Sequence, residues 1–242
     1  MIGQIEGEGP ALAVSFVIPT WHDAKNLAVL IPCLAQLAPA PEIIVVAVAG
    51  DADSEQVAAA HGARFAHFAE PSRGEQMNYG ASLATGDVLV FQHADTEFSA
   101  LHLGALETAL QDRAVVGGAF FRKFDERHPR LMWLEKVGRW LTQHGGTLFG
   151  DQTIFVRRDV FIKLGGFARI SLMEDVEFSP RLRRAGKIAV LDPPVRSSGR
   201  HHDRKGAWRR TIQNGLLLLL YKIGVRPQTL HRWYYEHQAT PE

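Results

Sequence analysis

The stretch GEQMNYGASLATGDVLVFQHADT, residues 74–96, contains the pattern that best predicts the fold. Its first part, residues 74–86, predicts a helix, and residues 87–92 predict a strand. The strand is apolar at successive positions, which is typical of a strand buried on both faces of a sheet. A histidine and an aspartate follow at positions 93 and 95, where the strand should leave the sheet. The stretch therefore predicts one helix–strand unit of a parallel sheet, with polar side chains directly after the strand.

Strand and helix patterns alternate through the first half of the chain. Predicted strands cover residues 13–19, 42–49 and 63–69, and predicted helices cover residues 24–37 and 53–63. The second of these helices has Asp53 or Ser54 as its expected N-cap and is ended by Gly62. Continuous apolar strands that alternate with helices indicate an α/β fold with a mostly parallel sheet flanked by helices.

Ligands of such sheets bind beyond the carboxyl ends of the strands. Four loops are expected at that edge, namely PTWHD, AGDAD, EPSRGEQ and HADT. Each loop contains an acidic side chain, so the edge is the place to look for a site.

The second half of the chain is less regular. It predicts a strand at 114–124, an amphipathic helix at 129–143, a strand, short helix and glycine turn at 150–167, and a long helix at 206–224 followed by a tail. No repeat, low-complexity segment or clear linker interrupts the sequence. We therefore expect a single domain over residues 1–242, with a nucleotide-binding half at about 13–112, an acceptor-side half at about 113–205 and a C-terminal helix and tail at 206–242.

Composition excludes several classes of protein. The 242 residues are 46% hydrophobic and 22% charged, which is typical of a globular protein. A net charge of +1 gives no overall electrostatic basis for binding nucleic acid. The single cysteine, Cys33, allows no disulfide within the chain and fits a reducing, cytoplasmic compartment. The N-terminus lacks the basic and apolar regions of a signal peptide.

The longest apolar run near the C-terminus, GLLLLLY at 215–221, is too short to span a bilayer. With Trp208, Arg209 and Arg210 upstream, it could lie at the surface of the inner membrane. Core packing or a homodimer contact is the favoured alternative.

Asp95 is a candidate ligand for a hard cation at the end of its strand. Mg²⁺ takes few carboxylates from a protein and completes its shell with phosphate and water, and His93 would be an accessory ligand for Mn²⁺. The alternative is that Asp95 and Thr96 cap the helix that follows, and these residues taken alone favour the cap.

Arg73 precedes a predicted helix at the same edge. An arginine beside a helix N-terminus can bind phosphate oxygens, although a surface arginine is an equally good interpretation. Asn78 lies inside that helix, where its low helix propensity suggests a specific contact.

The adjacent acids Glu174 and Asp175 could supply a general base, or they could stabilise a helix N-terminus. Pro180 shortly after them should kink or interrupt a helix. Residues 196–210 contain six lysines and arginines and include Arg200, His201 and His202. They could hold a diphosphate leaving group, although a solvated basic face is the favoured interpretation of this segment alone.

The order and spacing of these segments resemble the family 2 glycosyltransferases of the GT-A fold, especially a compact, single-domain bacterial subgroup. The resemblance covers about residues 13–225. SFVIPTWHDAKNL resembles the opening strand and nucleotide loop of the family. RGEQMNYGASLATGDVLVFQHADT resembles the signature of the subgroup, which ends in a variant of Asp-x-Asp. GDQTIFVRR and GGFARISLMEDVEFSPRLRRAGK resemble the acceptor-side loop and the catalytic segment.

The resemblance implies a Rossmann-like GT-A fold and a hexosyltransferase-type enzyme. Such an enzyme would move a sugar from a nucleotide-diphosphate donor to an acceptor hydroxyl with inversion, assisted by Mg²⁺ or Mn²⁺. Asp175 would be the general base with support from Glu174, and Asp95 would bind the metal with His93. Donor and acceptor contacts are implied for Pro19, Thr20, Asp23, Arg73, Asn78, Asp151, Gln152 and Arg200.

Three positions depart from the family pattern. Ala47 stands where an aspartate usually reads the base, with Asp51 and Asp53 nearby, and His93 replaces the first acid of Asp-x-Asp. Pro180 follows Glu174 and Asp175 where the family has a regular helix. The acceptor would be a saccharide or lipid-linked. Two alternatives remain at this stage, a catalytically degenerate nucleotide-sugar binder and a sugar-nucleotide nucleotidyltransferase. The second is disfavoured because no glycine-rich loop follows the first strand.

Overall fold

The computed structural model describes residues 12–123, 129–196 and 204–236, with side chains described for 12–123, 135–196 and 213–234. The strands are β1 (Val14–Thr20), β2 (Glu42–Val48), β3 (Arg64–Phe68), β4 (Val88–Phe91), β5 (Val115–Lys123), β6 (Ile154–Arg157) and β7 (Lys187–Arg196). The helices are α1 (Ala24–Ala35), α2 (Ala52–Ala60), α3 (Arg73–Leu83), α4 (Ala100–Leu110), α5 (Pro129–Gln143), α6 (Arg158–Lys163), α7 (Glu174–Ala185), α8 (Arg204–Lys222) and α9 (Pro227–Glu236).

The described strands form one sheet in the order β3–β2–β1–β4–β6–β5–β7. Strands β1 to β4 are parallel, β6 runs antiparallel to both β4 and β5, and β5 is parallel to β7. This arrangement confirms the predicted α/β fold with a mostly parallel sheet and a helical C-terminal segment.

Both faces of the sheet are buried. Phe16 and Ile18 of β1 point into one apolar cluster with α1 and α4, and Val17 between them points into the other with α3 and α7. Successive residues of β1 must be apolar because helices cover both faces of the sheet.

One predicted detail of the helices is wrong. The N-cap of α2 is Asp51, whose Oδ1 accepts a hydrogen bond from the Ser54 N–H at 3.3 Å. An aspartate caps a helix best from the position just before its first residue, and Asp51 occupies that position. Asp53 lies inside the first turn of α2. Pro180 does not interrupt α7, which is continuous from Glu174 to Ala185. The proline removes one N–H donor there, and the rest of the helix is retained.

Two elements were missed by the sequence patterns. Strand β7 contains Asp192, Pro193 and Pro194, which obscure its apolar pattern. It tolerates prolines because it lies at the edge of the sheet. Helix α9 occupies the expected tail and begins at Pro227, a residue that suits the first helical position. Among the helices of the described ranges, none is both long and apolar enough to cross a membrane.

Candidate active site

The candidate site lies where the carboxyl ends of β1, β2 and β4 meet the N-terminus of α7. Parallel pairing of β1 with β2 and β4 brings the loops that follow them to one edge. Helix α7 reaches the same edge with its first two residues, Glu174 and Asp175, which are both buried.

Arg73 pairs with the two acids at the start of α7. Its Nε donates a hydrogen bond to Oε1 of Glu174, and its Nη2 lies 3.6 Å from Oδ2 of Asp175. Helices α3 and α7 are in close contact here, because a Cβ added at Gly74 would lie 3.1 Å from Cγ of Glu174. Arg73 is therefore directed toward the acids, although 38% of its side chain remains exposed.

Asp175 is held by backbone groups on both oxygens. Oδ2 accepts the N–H of Gly150 at 2.7 Å, and Oδ1 accepts the N–H of Val176 at 2.8 Å. Burial raises the pKa of Asp175; Arg73 and the two N–H groups oppose that rise, whereas the charge of Glu174 adds to it. The net effect is a carboxylate with an increased affinity for a proton.

Gly150 is the point where the side chains of three elements meet. A Cβ added there would lie 3.3 Å from Oδ2 of Asp175, 3.3 Å from Nε2 of His93 and 3.6 Å from Cζ of Arg73. Nε2 of His93 is buried and has no hydrogen-bond partner among the described residues. Burial, together with the charge of Arg73, lowers the pKa of His93, which favours the neutral imidazole.

A second group of carboxylates lies on the strand side of the site. Burial raises the pKa of Asp23, the neighbouring charges of Asp95 and Asp51 raise it further, and a hydrogen bond from Asn26 opposes this. The two aspartates, Asp23 and Asp95, are thus close enough to repel each other. No group of three or more metal-ligating side chains occurs in the described ranges.

This carboxylate pair fits a cation that takes its remaining ligands from phosphate and water, as Mg²⁺ and Mn²⁺ do. The unpartnered Nε2 of His93 is a further candidate ligand nearby. The proposed helix cap at Asp95 and Thr96 is wrong, since α4 begins at Ala100 with Ser99 and His102 as its capping box.

Thr20 and Gln76 connect β1 and β2 to α3. Nε2 of Gln76 donates to the carbonyl of Thr20 at 3.0 Å and to that of Val46 at 2.8 Å. Thr20 is buried, and its Oγ1 has no partner among the described residues. The sequence analysis missed Gln76, although helical spacing places it on the same buried face as Met77 and Gly80.

Residues 15–165, more than half of the chain, match the family described as Glycosyl transferase family 2. The chain belongs to this family. It is a glycosyltransferase, as the resemblance implied. Comparison with curated protein sequences found no match.

Solved structures with a similar fold include three glycosyltransferases. TarS 1–349 of S. aureus is 16% identical with a TM-score of 0.63, and the match covers 86% of this chain and 66% of TarS 1–349. The mannosyltransferase PcManGT of Pyrobaculum calidifontis, in complex with GDP-Man and Mn²⁺, is 18% identical with a TM-score of 0.65 and coverages of 94% and 70%. Glucosyl-3-phosphoglycerate synthase of Mycobacterium tuberculosis, in complex with Mn²⁺, UDP-glucose and phosphoglyceric acid, is 21% identical with a TM-score of 0.63 and coverages of 88% and 80%.

At these identities the likeness shows the GT-A fold. The glycosyltransferase described here spans about two thirds of the length of TarS 1–349.

The other residues that were expected at the site of the glycosyltransferase have the following partners and locations. Asn78 forms two hydrogen bonds with the backbone of Phe167, one as donor and one as acceptor, each of 2.9 Å. Asp151 pairs with Arg122, and Oε1 of Gln152 accepts the N–H of Phe149 at 2.9 Å. Pro19 is a partly buried residue of β1. Arg200, His201 and His202 lie outside the described residues.

Another residue that the sequence analysis missed is Gln92, which is fully buried at the end of β4. Its Nε2 donates to the carbonyl of Thr96 at 2.6 Å, and its Oε1 accepts the hydroxyl of Thr153 at 3.0 Å. Gln92 therefore ties the strand that leads to Asp95 to the segment that contains Gly150.

Backbone strain is concentrated in this glycosyltransferase site. Among the described residues, the non-glycine residues with positive φ are His22 (57°), Thr153 (51°) and Met173 (70°). The first follows β1, the second follows the turn Gly150–Gln152, and the third directly precedes Glu174. Such conformations cost free energy and occur most often at functional sites.

Proposed function

We propose that this glycosyltransferase moves a hexosyl group from a nucleotide-diphosphate donor to an acceptor hydroxyl with inversion, and that Asp175 is the general base. The observation that supports this proposal best is the meeting of Asp175, Arg73 and His93 around Gly150. This group of side chains lies at the sheet edge where ligands of α/β folds bind.

The properties of Asp175 suit a base that removes a proton from a hydroxyl group. Burial and the charge of Glu174 raise its pKa, which increases its affinity for the proton. Arg73 lies beside both acids and limits that increase. In this proposal Glu174 holds Arg73 in place and does not itself react.

The reaction would be a single displacement. The acceptor oxygen forms a bond to the anomeric carbon while the bond from that carbon to the diphosphate breaks. The electron pair of the broken bond goes to the diphosphate, and the hydroxyl proton goes to Asp175. Attack from the face opposite the leaving group inverts the anomeric carbon.

The donor would lie along the ends of β1 and β4. Thr20, Asp23 and Pro19 would contact the nucleotide, and Asp51 fixes the loop between them by accepting the N–H of His22 at 2.8 Å. Asp95 would hold Mn²⁺ or Mg²⁺, with His93 as accessory ligand, and the bound cation would supply positive charge that stabilises the departing diphosphate.

Asp151 and Gln152 would shape the sugar and acceptor side, because both belong to the turn that contacts Asp175. Arg73 and Asn78, expected to contact the donor, are assigned positioning roles because the acids and Phe167 are their partners. Arg200 and its basic segment would close over the diphosphate. The acceptor would be a saccharide or lipid-linked, and the exposed, unpaired Cys33 suits a reducing cytoplasm.

The test combines binding and turnover. Thermal unfolding is measured with UDP, GDP, dTDP and CDP, each with Mn²⁺ and with EDTA, for the wild type and Asp175→Asn. We expect one nucleotide to raise the Tm of both proteins in a metal-dependent way. The wild type should hydrolyse or transfer the donor, and Asp175→Asn should not.

If no nucleotide raises the Tm of the wild type, the donor assignment is contradicted. Full turnover by Asp175→Asn would show that Asp175 is not the base, and binding without turnover in the wild type would favour a degenerate binder.

A further inference from the structure

Helix α8 exposes a narrow apolar stripe. Leu216, Leu219 and Ile223 are 54%, 57% and 69% exposed, whereas Leu217 between them is 5% exposed. The spacing i, i+3, i+7 places the three exposed side chains within about 60° of one another around the helix. The described part of α8 therefore has a buried side and a separate apolar side that faces outward.

Tyr221 lies on the partly buried side of α8, close enough to Glu177 and Asp175 to be affected by their charges. Partial burial raises the pKa of Tyr221, and the negative charges of Glu177 and Asp175 contribute to the rise. At 100° per residue, Tyr221 lies about 140–160° from the members of the stripe. The helix thus faces α7 on one side and presents the stripe on nearly the opposite side.

Helix α9 packs back against α8 after a turn at Gly224, whose φ is +95°. Leu230 of α9 is fully buried, and Trp233 is 44% exposed. Lys222, Arg226 and Arg232 are exposed along the pair of helices.

The charge of this segment differs from that of the rest of the chain. Residues 204–236, which comprise α8, α9 and the turn between them, contain seven lysines and arginines and one acid, Glu236, although the net charge of the whole chain is only +1. The rest of the chain is therefore net negative. Such an asymmetry is typical of a segment that contacts an acidic surface.

We propose that α8 and α9 form a docking surface for an anionic lipid bilayer, with Leu216, Leu219 and Ile223 inserted among the acyl chains near the headgroups. Exposed apolar side chains and flanking cations are the two features that hold a helix at such an interface. A symmetric dimer through the same face is disfavoured, because it would bring two strongly basic segments together. Three apolar side chains also cover far less than the roughly 800 Å² per partner of a stable interface.

The apolar contribution is tested by co-sedimentation of the full chain with phosphatidylcholine vesicles, with and without phosphatidylglycerol. The triple variant Leu216→Ser, Leu219→Ser, Ile223→Ser is compared with Val29→Ser, Leu101→Ser, Ile162→Ser. The control residues are also exposed and lie on α1, α4 and α6. We expect the wild type and the control to bind the anionic vesicles and the stripe variant to stay in the supernatant.

The charge contribution is tested with the triple variant Lys222→Gln, Arg226→Gln, Arg232→Gln. Its control is the triple variant Arg113→Gln, Lys163→Gln, Arg184→Gln, whose three residues are exposed on other parts of the protein. Three cations near an anionic surface are expected to change the partition coefficient on the order of 100-fold, and added salt should abolish the difference. Circular dichroism of every variant checks the fold.

The proposal is overturned if the wild type fails to bind anionic vesicles, or if both test variants bind as tightly as their controls. It is also overturned if gel filtration shows a wild-type dimer that the stripe substitutions convert to a monomer while vesicles bind none of the proteins.

Discussion

Asp175 accepts two backbone N–H groups and lies beside Arg73, yet its pKa is raised, because burial disfavours its charge. A carboxyl group with a raised pKa in the folded protein stabilises the fold below its unfolded pKa and loses that contribution as the pH rises through the folded value. Asp175→Asn should therefore gain stability relative to the wild type as the pH rises from about 4, the unfolded pKa, through the folded pKa. Its turnover should fall by roughly 10²–10⁴-fold, the usual contribution of a general base.

Thermal unfolding and initial rates across this pH range measure both effects. A wild type that becomes steadily more stable than Asp175→Asn as the pH rises would contradict the assignment of a raised pKa.

Asp95 can be tested against an aspartate at the other end of the same strand. Asp95 follows β4 at the site edge, and Asp87 precedes it, where Oδ2 accepts the N–H of Ala13 at 3.2 Å. Asp95→Asn should remove the Mn²⁺-dependent increase in Tm with nucleotide and the metal-dependent turnover, because an amide is a poor ligand for a hard cation. Asp87→Asn should keep both. Equal metal responses in calorimetric titration of the two variants would exclude Asp95 as a ligand.

The positions of Asp95, Glu174 and Asp175 at the sheet edge could be predicted, because each stands at a recognisable strand or helix end. Their catalytic roles remain predictions. The pairing of Arg73 with Glu174 could not be predicted, since the partners lie 101 residues apart and no local pattern links them. The same holds for Gln92 and Thr153, which are 61 residues apart.

The turn Gly150–Gln152 supplies the N–H that holds Asp175, and a larger first residue would be tightly packed there. A Cβ at Gly150 would lie 3.3 Å from both Asp175 and His93, so the turn or the acid must shift. Gly150→Ala should lower turnover about 10–100-fold, as small displacements of catalytic groups do.

Gly104 of α4 is the matched control for Gly150. A Cβ there meets nothing within 4 Å, so Gly104→Ala should keep wild-type turnover. It should also stabilise the protein by roughly 0.5–1 kcal/mol, because alanine favours a helix more than glycine does. Initial rates and urea unfolding measure the two effects. Equal turnover in both variants would show that the close approach at Gly150 is unimportant.

At the scale of elements, the first half of the chain could be predicted well because strands β1, β2 and β4 are buried on both faces and read as continuous apolar runs. Strand β7 could not, since an edge strand need not be apolar throughout and its prolines resemble a loop. Helix α9 was obscured by its aromatic and charged residues, and its packing against α8 could not be predicted from the local sequence.

The two halves of the molecule share one sheet. Residues 88–91 of the nucleotide-binding half pair with residues 154–157 of the acceptor-side half, and β6 also pairs with β5. Neither half has a complete sheet of its own, so the proposed single domain should unfold in one cooperative step. Scanning calorimetry should give equal calorimetric and van't Hoff enthalpies. Two separate transitions, or a stable proteolytic fragment ending near residue 113, would contradict a single domain.

Helix α3 binds a different partner with each of three nearby side chains. Arg73 holds the acids of α7, Gln76 holds the ends of β1 and β2, and Asn78 holds the turn at Phe167. A change to this helix would disturb the donor side and the acid side together. Directed evolution toward a new donor nucleotide should therefore leave α3 intact and vary the exposed Trp21 of the nucleotide loop.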